Sequence, residues 1–95
     1  MTKIFTDEII NAVIMHMADR KGVPYSAVEV ELSIDDEHGF TAEVWVNQRS
    51  QYLVESNILE AVEQYMYKQY QLRVFRSQIR LDADDEEFFA EISDS

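Results

Sequence analysis

The residues of this chain that could do chemistry are two histidines, nineteen carboxylates and a few serines and threonines; cysteine is absent. Nucleophilic catalysis needs a nucleophile, a base and an orienting acid within hydrogen-bond reach of one another. His16 falls at the edge of a helical apolar stripe and His38 in a polar turn, so neither meets a nucleophile in the layout derived below. The chain reads as a non-enzyme with no catalytic residue to assign. Its carboxylates gather in two runs, Asp35-Asp36-Glu37 and Asp82 with Asp84, Glu86 and Glu87. Calcium takes roughly six to eight oxygens from a loop with Asp-x-Asp-x-Asn-Gly spacing, and neither run has that spacing. Solvated hairpin tips are the expectation, with no metal and no cofactor.

Charge excludes two classes of partner. Eight Lys and Arg against nineteen Asp and Glu give a net charge of −11. Asp82, Asp84, Asp85, Glu86, Glu87, Glu91 and Asp94 all fall in the last fourteen residues, where there is no base. Affinity for nucleic acid comes largely from Lys and Arg displacing counterions, so direct nucleic-acid binding is not expected, nor is an anionic membrane surface. The longest apolar run, Ala12 to Met15, is far short of the roughly 20 residues a spanning helix needs. The first eight residues lack the apolar segment of a signal peptide. Without cysteine there is no disulfide framework, and a cytoplasmic location is expected. Ninety-five residues, 46% of them hydrophobic, allow one domain over 1–95 with one core.

The elements that must position these residues follow from periodicity. Thr6 stands as a helix N-cap, with Phe5 and Ile10 placed for a hydrophobic staple. Ile9, Ile10, Val13, Ile14 and Met17 form one apolar stripe, and Gly22 and Pro24 end a helix over 7–21. Val28, Val30, Leu32 and Ile34 alternate with Glu29, Glu31, Ser33 and Asp35, a strand with one buried face. After the turn Asp35 to Gly39 the chain returns over 40–46, with Thr41, Glu43 and Trp45 pointing outward. Residues 51–54 read as a short edge strand, with an early start of the second helix as the alternative, since neither Gly nor Pro separates them from it. Ser56 or Asn57 caps a second helix to about 71, with Ile58, Leu59, Val62, Met66 and Tyr70 inward. Strands over 77–83 and 88–92 follow, joined by the second acidic turn.

Sliding the sequence 49 places sets Ile9, Ala12, Val13, Met17 and Leu32 on Ile58, Ala61, Val62, Met66 and Leu81, with the acidic turns in register. The matches lie on apolar positions of helix and strand, so a supersecondary unit is repeated. The expected fold is α+β: two α-β-β repeats, about 6–46 and 56–92, forming an antiparallel four- or five-stranded sheet with both helices on one face. A rotation near 180° would relate the halves and pair 28–34 with 77–83 at the sheet centre. Glu29 and Glu31 would then face Arg76 and Arg80.

Asp7-Glu8-Ile9-Ile10-Asn11-Ala12, Val28 to Leu32 and Asp35 to Val44 together resemble the YxcD-like family of short acidic proteins from Bacillus-type bacteria. The resemblance runs from about Asp7 through Ala61. It implies a bacterial cytoplasmic source, and it assigns no catalytic residue, ligand or substrate.

Trp45 and Phe89 point away from the helices among charges, where large aromatics mark contact surfaces. The chain therefore reads as an interaction module. Its surface is Trp45, Phe89, Glu29, Glu31, Glu43, Arg76 and Arg80, and its partner is another protein or a second copy in a homodimer. The alternatives are a small-molecule binding protein or enzyme with a groove near His16 and Tyr65, and a polyanion mimic occupying a basic partner.

Overall fold

The structure, a computed structural model, describes residues 2–93. Strand β1 (Thr2–Phe5) runs directly into helix α1 (Thr6–Lys21). Asp7 and Glu8 lie at its positive end and Arg20 and Lys21 at its negative end. Gly22, at φ 68°, supplies the left-handed residue that closes α1, its N–H donating to the Ala18 carbonyl. Tyr25–Ala27 form one 3₁₀ turn, and β2 (Val28–Asp35) and β3 (Gly39–Val46) pair antiparallel with Ala42 opposite Leu32. Asp35 folds the turn between them: its carboxylate accepts the N–H groups of Glu37 at 2.9 Å and His38 at 2.5 Å.

Asn47 and Gln48, both left-handed at φ 51° and 68°, make a two-residue turn into β4 (Arg49–Val54). The strand expected over 51–54 is thus longer by two residues. Helix α2 (Glu55–Tyr70) follows without a break. Asn57 caps it from inside, accepting the Val54 N–H at 3.1 Å. Arg76–Gln78 form a second 3₁₀ turn, and β5 (Ile79–Ala83) and β6 (Phe88–Ile92) close the chain around a turn in which Asp84 accepts the N–H groups of Glu86 and Glu87.

The order strand, helix, 3₁₀ turn, strand, strand thus occurs twice. The fold is α+β, but the single four- or five-stranded sheet is corrected to two three-stranded antiparallel sheets, β2-β3-β4 and β1-β6-β5. The expected central pairing of 28–34 with 77–83 does not form. Each half instead lends its first strand to the hairpin of the other: β1 lies on β6 with Ile4 opposite Ala90, and β4 lies on β3 with Leu53 opposite Ala42. The hairpin edges that alternation left open are filled by these two short strands, so β3 and β6 become sheet centres.

Thr6 has a different role from the one its position suggests. Its hydroxyl donates to the Phe88 carbonyl at 3.2 Å and accepts the Phe88 N–H at 2.9 Å, tying α1 to β6, and it makes no cap on its own helix. Beside it, Phe5 meets Phe89 edge to face at 6.5 Å.

One buried cluster joins helices and sheets: Val13 and Met17 of α1, Val62 and Met66 of α2, Ala42 and Val44 of β3, Ala90 and Ile92 of β6. Burying a Val or Met side chain of this kind contributes about 1.5–3 kcal/mol. Ala12 and Ala61 are both buried among the larger core side chains. At the helix surface Asp19 and Lys68, 49 places apart, form an ion pair at 2.5 Å; half exposed, it contributes at most about 1 kcal/mol.

Candidate interaction surface

The outer face of β2-β3-β4 is a grid whose rows follow from register. Glu29, Trp45 and Ser50 make one row, Glu31, Glu43 and Tyr52 the next, and Ser33, Thr41 and Val54 the third. Glu31 and Glu43 stand directly opposite each other, an arrangement of like charges that costs stability. Among the described residues no Lys or Arg lies within ion-pair distance of Glu29, Glu31 or Glu43. The Tyr52 phenol is held above its usual range, chiefly by the negative charge of Glu43, then by desolvation and a hydrogen bond to Glu43, with Glu31 adding to it. Tyr52 is 66% exposed and Val54 54%, so the face also presents apolar area to solvent. Ser33 and Thr41 hydroxyls bond at 2.8 Å, and His38 Nδ1 lies 3.4 Å from Asp35 Oδ1. These four line a cleft of about 570 Å³ with Tyr52 and Val54.

The outer face of β1-β6-β5 has the opposite character. Its rows are Lys3, Glu91 and Arg80, then Phe5, Phe89 and Asp82. Arg80 reaches Glu91 at 2.5 Å and Asp82 at 3.2 Å, and Lys3 lies 4.0 Å from Glu91. Lys3 also sits 4.4 Å from the Phe89 ring centroid, where a cation is attracted to the aromatic face. Every charge in these rows has an opposite partner within the sheet.

The expected surface is therefore divided. Trp45, Glu29, Glu31 and Glu43 come together on one sheet, and Phe89 and Arg80 on the other. Arg76 belongs to neither: it lies in the 3₁₀ turn and reaches back to α2, 3.3 Å from Glu60 and 3.5 Å from Glu63. The expected facing of Glu29 and Glu31 by Arg76 and Arg80 is thus replaced by pairs within the second half. β5 begins two residues later than alternation predicts, after a segment where Gln78 accepts the Phe75 N–H at 3.0 Å and donates to the Ser93 carbonyl. Tyr52 and Val54, missing from the expected surface, were readable from the alternation of 51–54 around buried Leu53.

The helix groove is also divided. His16 is buried, with Nδ1 3.0 Å from Gln64 Oε1 and no partner for Nε2 among the described residues. It borders a cleft of about 350 Å³ with Asp19, Arg20, Glu60 and Gln64. Tyr65 is not among the residues of that cleft. Its hydroxyl donates to Glu8 Oε1 at 2.8 Å, and burial with Glu8 raises the Tyr65 phenol far above its ordinary range. Tyr70, expected inward, is instead half exposed at the end of α2, where its hydroxyl donates to the same Glu8 oxygen. A cleft walled mostly by charged and amide groups lacks the apolar lining that small-molecule sites present.

No helix among the described residues is long and apolar enough to cross a membrane. No curated protein and no solved structure matches the chain. The family model described as Protein of unknown function (DUF2653) matches residues 1–86, and the chain belongs to that family.

Proposed function

We propose that this protein is an interaction module whose working surface is the outer face of β2-β3-β4, and whose partner is a cationic protein segment. One observation carries the reading: Glu29, Glu31 and Glu43 surround Trp45 and Tyr52 with no Lys or Arg at ion-pair distance among the described residues, while the other sheet neutralises its charges internally. Opposed carboxylates that cost folding energy gain it back when a Lys or Arg enters between them. Aromatic side chains beside them supply the contact area on which interface affinity concentrates. Because the acids alternate with rings and hydroxyls, the face fits a mixed basic and apolar segment better than it imitates a phosphate track. Neither catalysis nor a bound small molecule enters this reading.

The test is fluorescence or calorimetric titration with a Lys- and Arg-rich peptide carrying one or two apolar residues. Binding should weaken as salt rises, and should weaken further in Trp45→Ala and in the Glu31→Gln, Glu43→Gln double variant. A Glu86→Gln, Glu87→Gln control removes equal charge at the hairpin tip and should leave affinity nearly unchanged. Equal losses in both pairs would mean that only net charge is being measured, and the reading would be abandoned.

A further inference from the structure

Strand β4 is an edge: β3 pairs with one side, and no strand among the described residues meets the other. A two-residue turn makes its flanking residues, Val46 and Arg49, a hydrogen-bonded pair, and antiparallel pairs alternate from there. Arg49, Gln51 and Leu53 therefore bond inward to β3. Ser50, Tyr52 and Val54 turn their backbone groups outward, and the Val54 N–H accordingly bonds to Asn57, with no β3 carbonyl in reach. The N–H and C=O of Ser50 and Tyr52 and the C=O of Val54 line an open edge.

Exposed edges in soluble proteins are guarded by charge, proline or brevity. β2, at the other side of the same sheet, carries Glu29, Glu31 and Asp35; β5 carries Arg80 and Asp82; β1 has four residues and Lys3. β4 has six residues, no acid and no proline, in a chain of net charge −11. It is the edge least able to repel a copy of itself.

We infer that β4 pairs with β4 of a second copy, antiparallel about a twofold axis at Tyr52, to give a continuous six-stranded sheet. In that register the two Tyr52 residues exchange both backbone hydrogen bonds, and each Ser50 N–H reaches the Val54 carbonyl of the mate. The same register sets Arg49 opposite Glu55 of the mate at both ends. Neither Arg49 nor Glu55 has an ion-pair partner among the described residues, so the pairing supplies each with one. Side chains of β4 stay on the faces they occupy now, and the two acidic aromatic faces become neighbours. This dimer is independent of the cationic partner proposed above.

Sedimentation equilibrium from low to high micromolar concentration tests it. Wild type should dimerise, and Arg49→Glu and Glu55→Arg should each weaken self-association by at least about tenfold, since each sets like charges together at both ends. The double variant R49E/E55R should recover it. Tyr52→Pro removes an outward N–H, with an exposed phenol, and leaves the ladder to β3 in place, so it should abolish the dimer with circular dichroism nearly unchanged. A monomeric wild type at the highest concentration, a dimer indifferent to both charge reversals, or a double variant that fails to recover would each overturn the inference. The charge-reversal set decides the matter even if Tyr52→Pro fails to fold.

Discussion

Phe40 and Phe88 meet edge to face, centroids 6.1 Å apart and planes at 69°, where the sheet of β3 approaches the sheet of β6. Each stands at the start of its strand, just after an acidic turn, and around them Ile9, Ile58, Leu32 and Leu81 border a cavity of about 10 Å³. Among the described residues no strand pairing joins the two sheets, so side-chain packing holds them together.

Phe40→Ala and Phe88→Ala should each lower unfolding free energy by about 2–4 kcal/mol, somewhat under the value for a fully buried ring. Their double-mutant cycle should show a coupling of about 0.5–1.5 kcal/mol. Urea denaturation reads both. Strict additivity would mean that the ring contact does not hold the sheets together.

Thr6→Val keeps shape and removes the hydroxyl that serves both backbone groups of Phe88. The expected loss is about 1–3 kcal/mol, from polar groups left unpaired at a half-buried site. Hydrogen exchange of the Phe88 amide should accelerate more than that of amides in β2. Thr6→Ser should retain most of the stability, which separates the hydroxyl's bonds from packing.

Gln48 holds φ 68° without being glycine, and the two-residue turn favours glycine at this second position. Gln48→Gly should raise stability by about 0.5–1.5 kcal/mol, the cost of a left-handed side-chain-bearing residue offset in part by unfolded-chain entropy. A higher thermal midpoint with an unchanged spectrum is the expected result; a lower one would mean that the turn is not left-handed at 48.

Tyr52 titrates above the ordinary tyrosine value of 10.0 because ionising it adds a negative charge beside Glu43 and Glu31. Glu43→Gln removes the larger of the two repulsions, so the Tyr52 pKa should fall toward 10.0, and Glu31→Gln should lower it less. Raising salt should lower it in wild type and do little in the double variant, by screening. Ultraviolet difference titration with the other tyrosines replaced by phenylalanine measures each case.

Much of the fold is legible in local pattern. Ile9, Val13 and Met17 at helical spacing, with Gly22 after them, place α1 to within a residue, and the 49-residue repeat carries that placement to α2. Alternation puts Glu29, Glu31, Glu43 and Trp45 on one outer face, which is where they lie. These features depend on residues a few places apart, and periodicity states them completely. What alternation does not contain is the partner of a strand. β1 is four residues long, too short to show a period, and it is the strand that takes the edge of β6.

With β1 on one hairpin and β4 on the other, the two inner strands do not pair, Arg80 finds Glu91, Arg76 finds α2, and Glu29 and Glu31 have no cation at ion-pair distance among the described residues. The sequence by itself determined the helices, the hairpins and most of the inward rows, because these are set by neighbours along the chain; Ile34, which alternation places inward, is 47% exposed at the hairpin end. Tertiary structure alone decided which edge each short strand occupies, and through that which charges are neutralised and which stand open. Edge pairing is set by backbone N–H and C=O groups, identical in every residue but proline. Side-chain contacts from distant parts of the chain favour one of the edges that backbone chemistry leaves equal, among them the Thr6 hydroxyl on Phe88, eighty-two positions away.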